Sequence, residues 1–159
     1  MRQPPKHLID ARALQVWKIS AMISVGIIWL IIIVLGLVSY FQDWSYWVSG
    51  IAAGINLLFT YLFIFFLPKL RYRRWRYEVF EQEIYIQYGI LIKTRSIIPM
   101  IRVQHVDTEQ GPIMRAYNVA SVSISTAATK HMIPALSEED ASDLRDRISE
   151  LARVDEDDV

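Results

Sequence analysis

The chain is 159 residues long and carries 17 Lys and Arg against 17 Asp and Glu, a formal net charge of zero that excludes no class of partner. It contains no cysteine, which excludes disulfides, thiolate catalysis and cysteine-ligated metals. Apolar residues make up 53% of it and the mean hydropathy is +0.23, an excess for a small soluble protein that sits almost wholly in the first 68 residues.

Residues 1 to 18 form a short N-terminal segment with four cations, Arg2, Lys6, Arg12 and Lys18. No charged residue then occurs until Asp43, and ISAMISVGIIWLIIIVLGLVS (19 to 39) is almost entirely apolar. A second uncharged run extends from Trp44 to Pro68. Crossing about 30 Å of hydrocarbon takes about 20 helical residues, which each run supplies. The spacing predicts a transmembrane hairpin over 19 to 68, with spans at 19 to 39 and 47 to 68. The first run is read as a span rather than a cleaved signal, being too long for a signal's apolar core and followed by no small-residue cleavage site.

The connection, residues 40 to 46, holds Tyr40, Phe41, Trp44 and Tyr46, with Trp47 just beyond. Aromatic rings of this kind sit at headgroup level, and a connection this short fits a tight turn. Lys69, Arg71, Arg73, Arg74 and Arg76 follow the second span, and the turn has no Lys or Arg. By the positive-inside rule both ends of the hairpin are cytoplasmic and the aromatic turn faces outward.

Within the second span Gly50 and Gly54 have the small-xxx-small spacing that lets helix backbones approach, and Asn56 lies near mid-depth, where an amide seeks a partner. These three residues either pack the hairpin against itself or mediate oligomerisation. No Asp, Glu, Lys, Arg or His lies inside either span, so the marks of a proton relay or ion path are missing.

The basic stretch 69 to 76 forms a juxtamembrane collar, with Tyr72 and Trp75 among the cations. It serves either to set topology alone or to hold the C-terminal half of the chain against anionic lipid, at about 1 kcal/mol per cation. Beyond it the period changes. EIYIQYG (83 to 89) and VSIST (122 to 126) alternate in the manner of half-buried strands. Further strands are expected at 76 to 80, 91 to 98, 102 to 109 and 130 to 134, punctuated by Gly89, Pro99, Gly111-Pro112 and Asn118. Ser137 then caps a helix with Glu138, Glu139 and Asp140 in its first turn and Ala141, Leu144, Ile148 and Leu151 on one face. The acidic stretch 154 to 159 is expected to fray. The pattern gives an α+β membrane protein: a two-helix hairpin followed by a small antiparallel barrel or sandwich closed by one C-terminal helix.

IPMIRVQHVDTEQGPIMRAYNVASVSISTAA (98 to 128) resembles the bacterial pleckstrin-homology-like membrane proteins of the YdbS type, formerly a domain of unknown function. The matching features are Ile98-Pro99, Arg102-Val103-Gln104, Val106, Gly111-Pro112-Ile113, Arg115, Val122, Ile124 and Thr126-Ala127-Ala128, joined by IDARALQVWKI (9 to 19) and the two-helix layout. The resemblance implies a pleckstrin-homology-like fold over residues 70 to 153, with Pro99, Arg102, Gln104, Gly111 and Arg115 as its signature. Asn118 and Thr129 stand where the family often has glycine, and the pattern yields six strands where that fold has seven. The resemblance also implies company: a larger membrane relative carrying several copies of the same domain.

Catalytic chemistry is poorly supported. His105, Asp107 and Glu109 share one face of a strand and have the residue types of a divalent-cation or acid-base site, but a solvated strand face accounts for them. No phosphate-binding glycine loop or nucleophile elbow is present, and no cofactor is implied. A basic cluster pinned at a bilayer is badly placed for nucleic acid. The sequence therefore reads as a non-enzymatic, membrane-anchored scaffold or adaptor that binds a protein, anionic lipid, or both. The alternative is a subunit of a heteromeric complex for export or for envelope defence against membrane-active peptides, and a homo-oligomer is also compatible with the glycine spacing.

Overall fold

A computed structural model describes residues 4 to 42 and 47 to 157, without the side chains of 154 to 157. Arg2 at the N-terminus, Asp43, Trp44 and Tyr46 of the aromatic turn, and the last two residues of the acidic stretch lie outside the described residues. The chain divides into two compact units, one of residues 17 to 69 and one that joins residues up to 16 with those from 70 onward.

The first unit is the hairpin. Helix α1 (Ala13–Phe41) has 29 residues, and α2 (Trp47–Tyr61) continues through a π-helical turn (Leu62–Phe66) into α3 (Leu67–Arg74), a helical run of 28 residues. Both runs are long and apolar enough to cross a membrane, and only 6% of the most apolar window of each is buried. α1 extends past its expected span at both ends and the second run past its C-terminal end only, because nothing in the flanking basic segments breaks them. Trp29 Nε1 donates to Thr60 Oγ1 at 3.1 Å and Thr60 Oγ1 donates to the Asn56 carbonyl at 2.7 Å, which ties α1 to α2 through side chains.

Among the described residues the second unit contains seven strands. β1 (His7–Leu8), β2 (Arg76–Val79), β3 (Glu83–Tyr88) and β4 (Thr94–Pro99) form one antiparallel sheet in that order. β5 (Val103–Glu109), β6 (Val119–Thr126) and β7 (Lys130–Ser137) form the other. A 3-10 turn (Met100–Arg102) links the sheets, α4 (Pro112–Ala116) links β5 to β6, and α5 (Glu138–Asp157) packs on β5, β6, β7 and that turn. This is the pleckstrin-homology-like sandwich with a C-terminal helix that the resemblance implies.

The seventh strand is β1, which lies before the hairpin in sequence and pairs with β2, after it: His7 with Tyr77 and Leu8 with Arg76. Two residues cannot show a period of two, so no strand signal is present there. The described N-terminal residues up to Val16 join this unit, with Pro5, Ile9, Ala13 and Val16 all buried. Ile9 is 2% exposed and Val16 is 3% exposed, values of core residues.

Two strands are more deeply enclosed than simple alternation allows. In β3 Tyr85 and Gln87 are buried along with Ile84 and Ile86, and the Gln87 amide oxygen accepts from Arg95 Nε at 3.1 Å. In β6 every residue from Val119 to Ile124 is buried. β6 is the central strand of its sheet and both α4 and α5 pack on it, so Ser121 and Ser123 are enclosed rather than solvated. Ser121 Oγ accepts the Ala135 amide at 3.3 Å.

Turn chemistry follows the punctuation residues. Asn118 takes the left-handed conformation that a family glycine would supply, at φ 51°. Gly89 has φ 108°, and a Cβ there would lie 1.9 Å from the Ile92 carbonyl oxygen, so this turn admits only glycine without rearrangement. The chain from Gly89 to Lys93 is the tip of the β3–β4 hairpin, and β4 begins at Thr94 rather than 91. Ser137 caps α5 as expected, accepting the Asp140 amide at 3.0 Å. The helix continues to Asp157 and takes in most of the acidic stretch.

Candidate functional site

The N-terminal segment is fastened by one ion pair. Arg12 donates from Nη2 to Asp10 Oδ2 at 2.8 Å and from Nε to Asp10 Oδ1 at 3.0 Å, while its Nη1 reaches the carbonyls of Tyr117 and Asn118 at 3.3 and 3.2 Å. Asp10 Oδ1 also accepts the Arg12 amide at 2.7 Å, and the Asp10 amide donates to the Ala135 carbonyl at 3.0 Å. These bonds join IDAR to the α4–β6 connection and to β7. The guanidinium holds the Asp10 carboxyl below the ordinary carboxylate range, against the opposing effect of desolvation. IDAR matches the family, but its role as a clamp depends on partners more than 100 residues away.

The collar divides between two elements. Lys69, Arg71, Arg73 and Arg74 lie on α3 and are exposed, whereas Arg76 is half-buried as the first residue of β2. Trp75, between them, is 6% exposed and stacks on Tyr88 at 5.6 Å between ring centroids. Arg71, Trp75, Tyr88, Lys130 and His131 line a shallow pocket of about 240 Å³. The described part of the collar is a cationic helical surface with one aromatic ring anchored in the sheet.

The signature residues do not all converge. Pro99, Arg102 and Gln104 line one groove of about 650 Å³ together with Thr126, Ala127, Ala128 and His131. Ile97 and Ile101 add apolar surface to it, being 48% and 56% exposed. Gly111 and Arg115 lie apart, at the start and within α4, and both are exposed. The groove thus combines exposed isoleucines with Arg102, an amide and hydroxyls.

In the hairpin, Gly50 and Gly54 share an exposed face of α2, and Asn56 lies on a different, buried one. Nothing lies within 4 Å of a Cβ built on Gly50 or Gly54. Asn56 is 5% exposed and lines a cleft of about 770 Å³ between the helices, with Ser20, Ser24, Val25 and Phe59 among its neighbours. The Asn56 Nδ2 atom is buried there with no hydrogen-bond partner.

His105, Asp107 and Glu109 occupy alternate positions of β5, opposite Ser125, Ser123 and Ser121. Glu109 Oε1 accepts from Lys130 Nζ at 2.6 Å, and that bond holds the Glu109 carboxyl below its usual range and the Lys130 ammonium above its own. His105 and Asp107 are exposed. Among the described residues no group of three or more His, Asp or Glu is arranged to hold a metal ion.

The chain is 51% identical, over all 159 residues of both proteins, to the UPF0699 transmembrane protein YdbS of Bacillus subtilis (strain 168). No solved structure matches it. Residues 10 to 152 match the family described as "Bacterial PH domain", a range that runs from the Asp10 clamp through the hairpin to the end of the sandwich. With the two membrane-length helices and the seven-stranded unit, this establishes the chain as a transmembrane member of the bacterial PH domain family.

Proposed function

We propose that the chain is a non-enzymatic adaptor of the bacterial plasma membrane. The hairpin fixes its location, the collar of Lys69, Arg71, Arg73, Arg74 and Arg76 holds the β unit against anionic lipid, and the groove at Pro99, Arg102 and Gln104 receives a protein partner. The observation that carries this reading is the pairing of β1 with β2. Strands that share a ladder lie on the same side of a bilayer, and these two flank the hairpin in sequence. An even number of crossings accounts for that pairing, and the cations on both flanks, against none between residues 19 and 68, support a cytoplasmic side for it. The partner by family resemblance is a larger membrane protein with several copies of the domain.

Purification of the tagged full chain from its native membrane in mild detergent, followed by mass spectrometry, tests the reading. A stoichiometric partner that is lost on Arg102→Glu supports it; a chain that emerges alone ends it.

A second reading is favoured by the unpaired Asn56 amide: a subunit of a heteromeric complex, for export or defence of the envelope, whose other helices enter the cleft. An interhelical hydrogen bond of this kind contributes about 0.6 to 1.7 kcal/mol in a membrane. Under this reading Asn56→Leu releases the partner and Arg102→Glu does not; under the adaptor reading the two results are reversed.

A further inference from the structure

Leu91 and Ile92 at the β3–β4 tip are 96% and 81% exposed, more than any other large apolar residue described, including those along the membrane helices. Ile90 lies beside them, and Lys93 and Arg95 come directly after. Single exposed apolar residues are ordinary, but adjacent ones at the end of a fixed turn are a mark of contact with something apolar. At the tip the left-handed Gly89 lies against the Ile92 carbonyl, which makes this turn specific to glycine.

Strand directions place this tip within its unit. β2 starts at Arg76, directly after α3, and Arg76 pairs with Gln87, so the end of the sheet at which the chain arrives from the second membrane helix is the end that carries the tip. Trp75, the residue between α3 and β2, stacks on Tyr88, one residue before Gly89. β1 leaves at the same end, Leu8 pairing with Arg76 before the chain turns into α1.

We propose that the β3–β4 tip is a further bilayer contact: Ile90, Leu91 and Ile92 enter the headgroup and upper acyl region of the cytoplasmic leaflet, with Lys93 and Arg95 against anionic headgroups. Apolar residues flanked by cations match the chemistry of an anionic lipid surface, which offers hydrocarbon beneath negative charge. The inference rests on the cytoplasmic placement of the β unit given above and adds to it a device that orients the unit without any protein partner.

The chain has no cysteine, so one introduced thiol takes one dye. Full-length Leu91→Cys and Glu81→Cys variants are labelled with an environment-sensitive fluorophore and reconstituted into phosphatidylcholine vesicles containing phosphatidylglycerol, with and without lipids spin-labelled near the headgroup. Glu81 is exposed in the turn at the opposite end of β3. The expected result is blue-shifted emission and several-fold stronger lipid quenching at position 91 than at position 81. Equal quenching at the two positions overturns the proposal, as does a blue-shifted but unquenched dye at 91, which places the tip against protein instead. Neither result depends on whether a partner co-purifies, so the adaptor reading stands or falls separately.

Discussion

Isoleucine behaves in opposite ways in the two units. In the hairpin Ile27 and Ile33 are 59% and 58% exposed, whereas in the β unit Ile84, Ile124 and Ile133 are fully buried. The hairpin has almost no interior, so its apolar side chains find their solvent in hydrocarbon and its helices form from composition alone. The β unit must make its own apolar interior, from strands that lie on both sides of the hairpin in sequence. What the difference teaches is that exposure carries meaning only relative to the solvent a unit meets. Leu91 and Ile92 follow the hairpin's rule further than the other apolar residues of the β unit that are exposed, such as Ile97 and Ile101.

The largest effect that would sharpen this comparison comes from removing residues 1 to 16. Ile9 and Val16 each contribute about 1.5 to 3 kcal/mol by burial, and with the β1 ladder the loss approaches the whole stability of an ordinary domain, about 5 to 15 kcal/mol. A fragment of residues 70 to 159 is expected to remain unfolded by NMR dispersion, and one carrying residues 1 to 16 on a flexible linker is expected to fold. Next, Ile124→Ala is expected to cost about 2 to 5 kcal/mol of unfolding free energy in denaturant. Ile33→Ala should change only membrane insertion, by about 0.3 to 0.6 kcal/mol; equal effects at the two sites would break the comparison.

Gly89→Ala meets the Ile92 carbonyl and an unfavourable φ, and is expected to cost about 1 to 3 kcal/mol, read as a lowered denaturation midpoint. Smaller again is the Asp10 clamp. Its folded carboxyl titrates below the unfolded value of about 3.9, so its stabilisation is fully present above that pH and is lost as pH falls through the folded value. Asp10→Asn should therefore be less stable than the parent at neutral pH, with the gap closing in strong acid. The smallest change is expected from Glu109→Gln, which removes an exposed pair with Lys130; its effect on melting temperature should vanish at high salt.

Most of the hairpin was legible in the sequence because a membrane span is a local property: an uncharged run of sufficient length needs no partner to declare itself. The strands were legible where polar and apolar residues alternate, as at Ile84 and Ile86, and less so where both faces are covered, as at Ser121 and Ser123. β1 was illegible because its strand character comes entirely from the β2 edge it meets. The same holds for the clamp, since Asp10 and Arg12 gain their role from the carbonyls of Tyr117, Asn118 and Ala135. The groove at Pro99, Arg102 and Gln104 was found only as a set of family residues; their convergence with Thr126 to Ala128 required the fold. Asn56 was singled out by its chemistry, and its separation from Gly50 and Gly54 was already legible in the spacing, since a residue two positions after Gly54 lies on the far side of a helix of 3.6 residues per turn.

The central claim is that a strand from before the hairpin completes the sheet after it. The direct test is to introduce His7→Cys and Tyr77→Cys into the full-length, cysteine-free chain and to oxidise it in isolated membranes. Opposed residues of an antiparallel pair lie about 4.5 to 5.5 Å apart at Cα, within the range of a disulfide. The account predicts rapid intramolecular cross-linking of this pair and none for His7→Cys with Glu81→Cys. Failure of the first pair to cross-link within one chain, or its cross-linking only between chains, would contradict it.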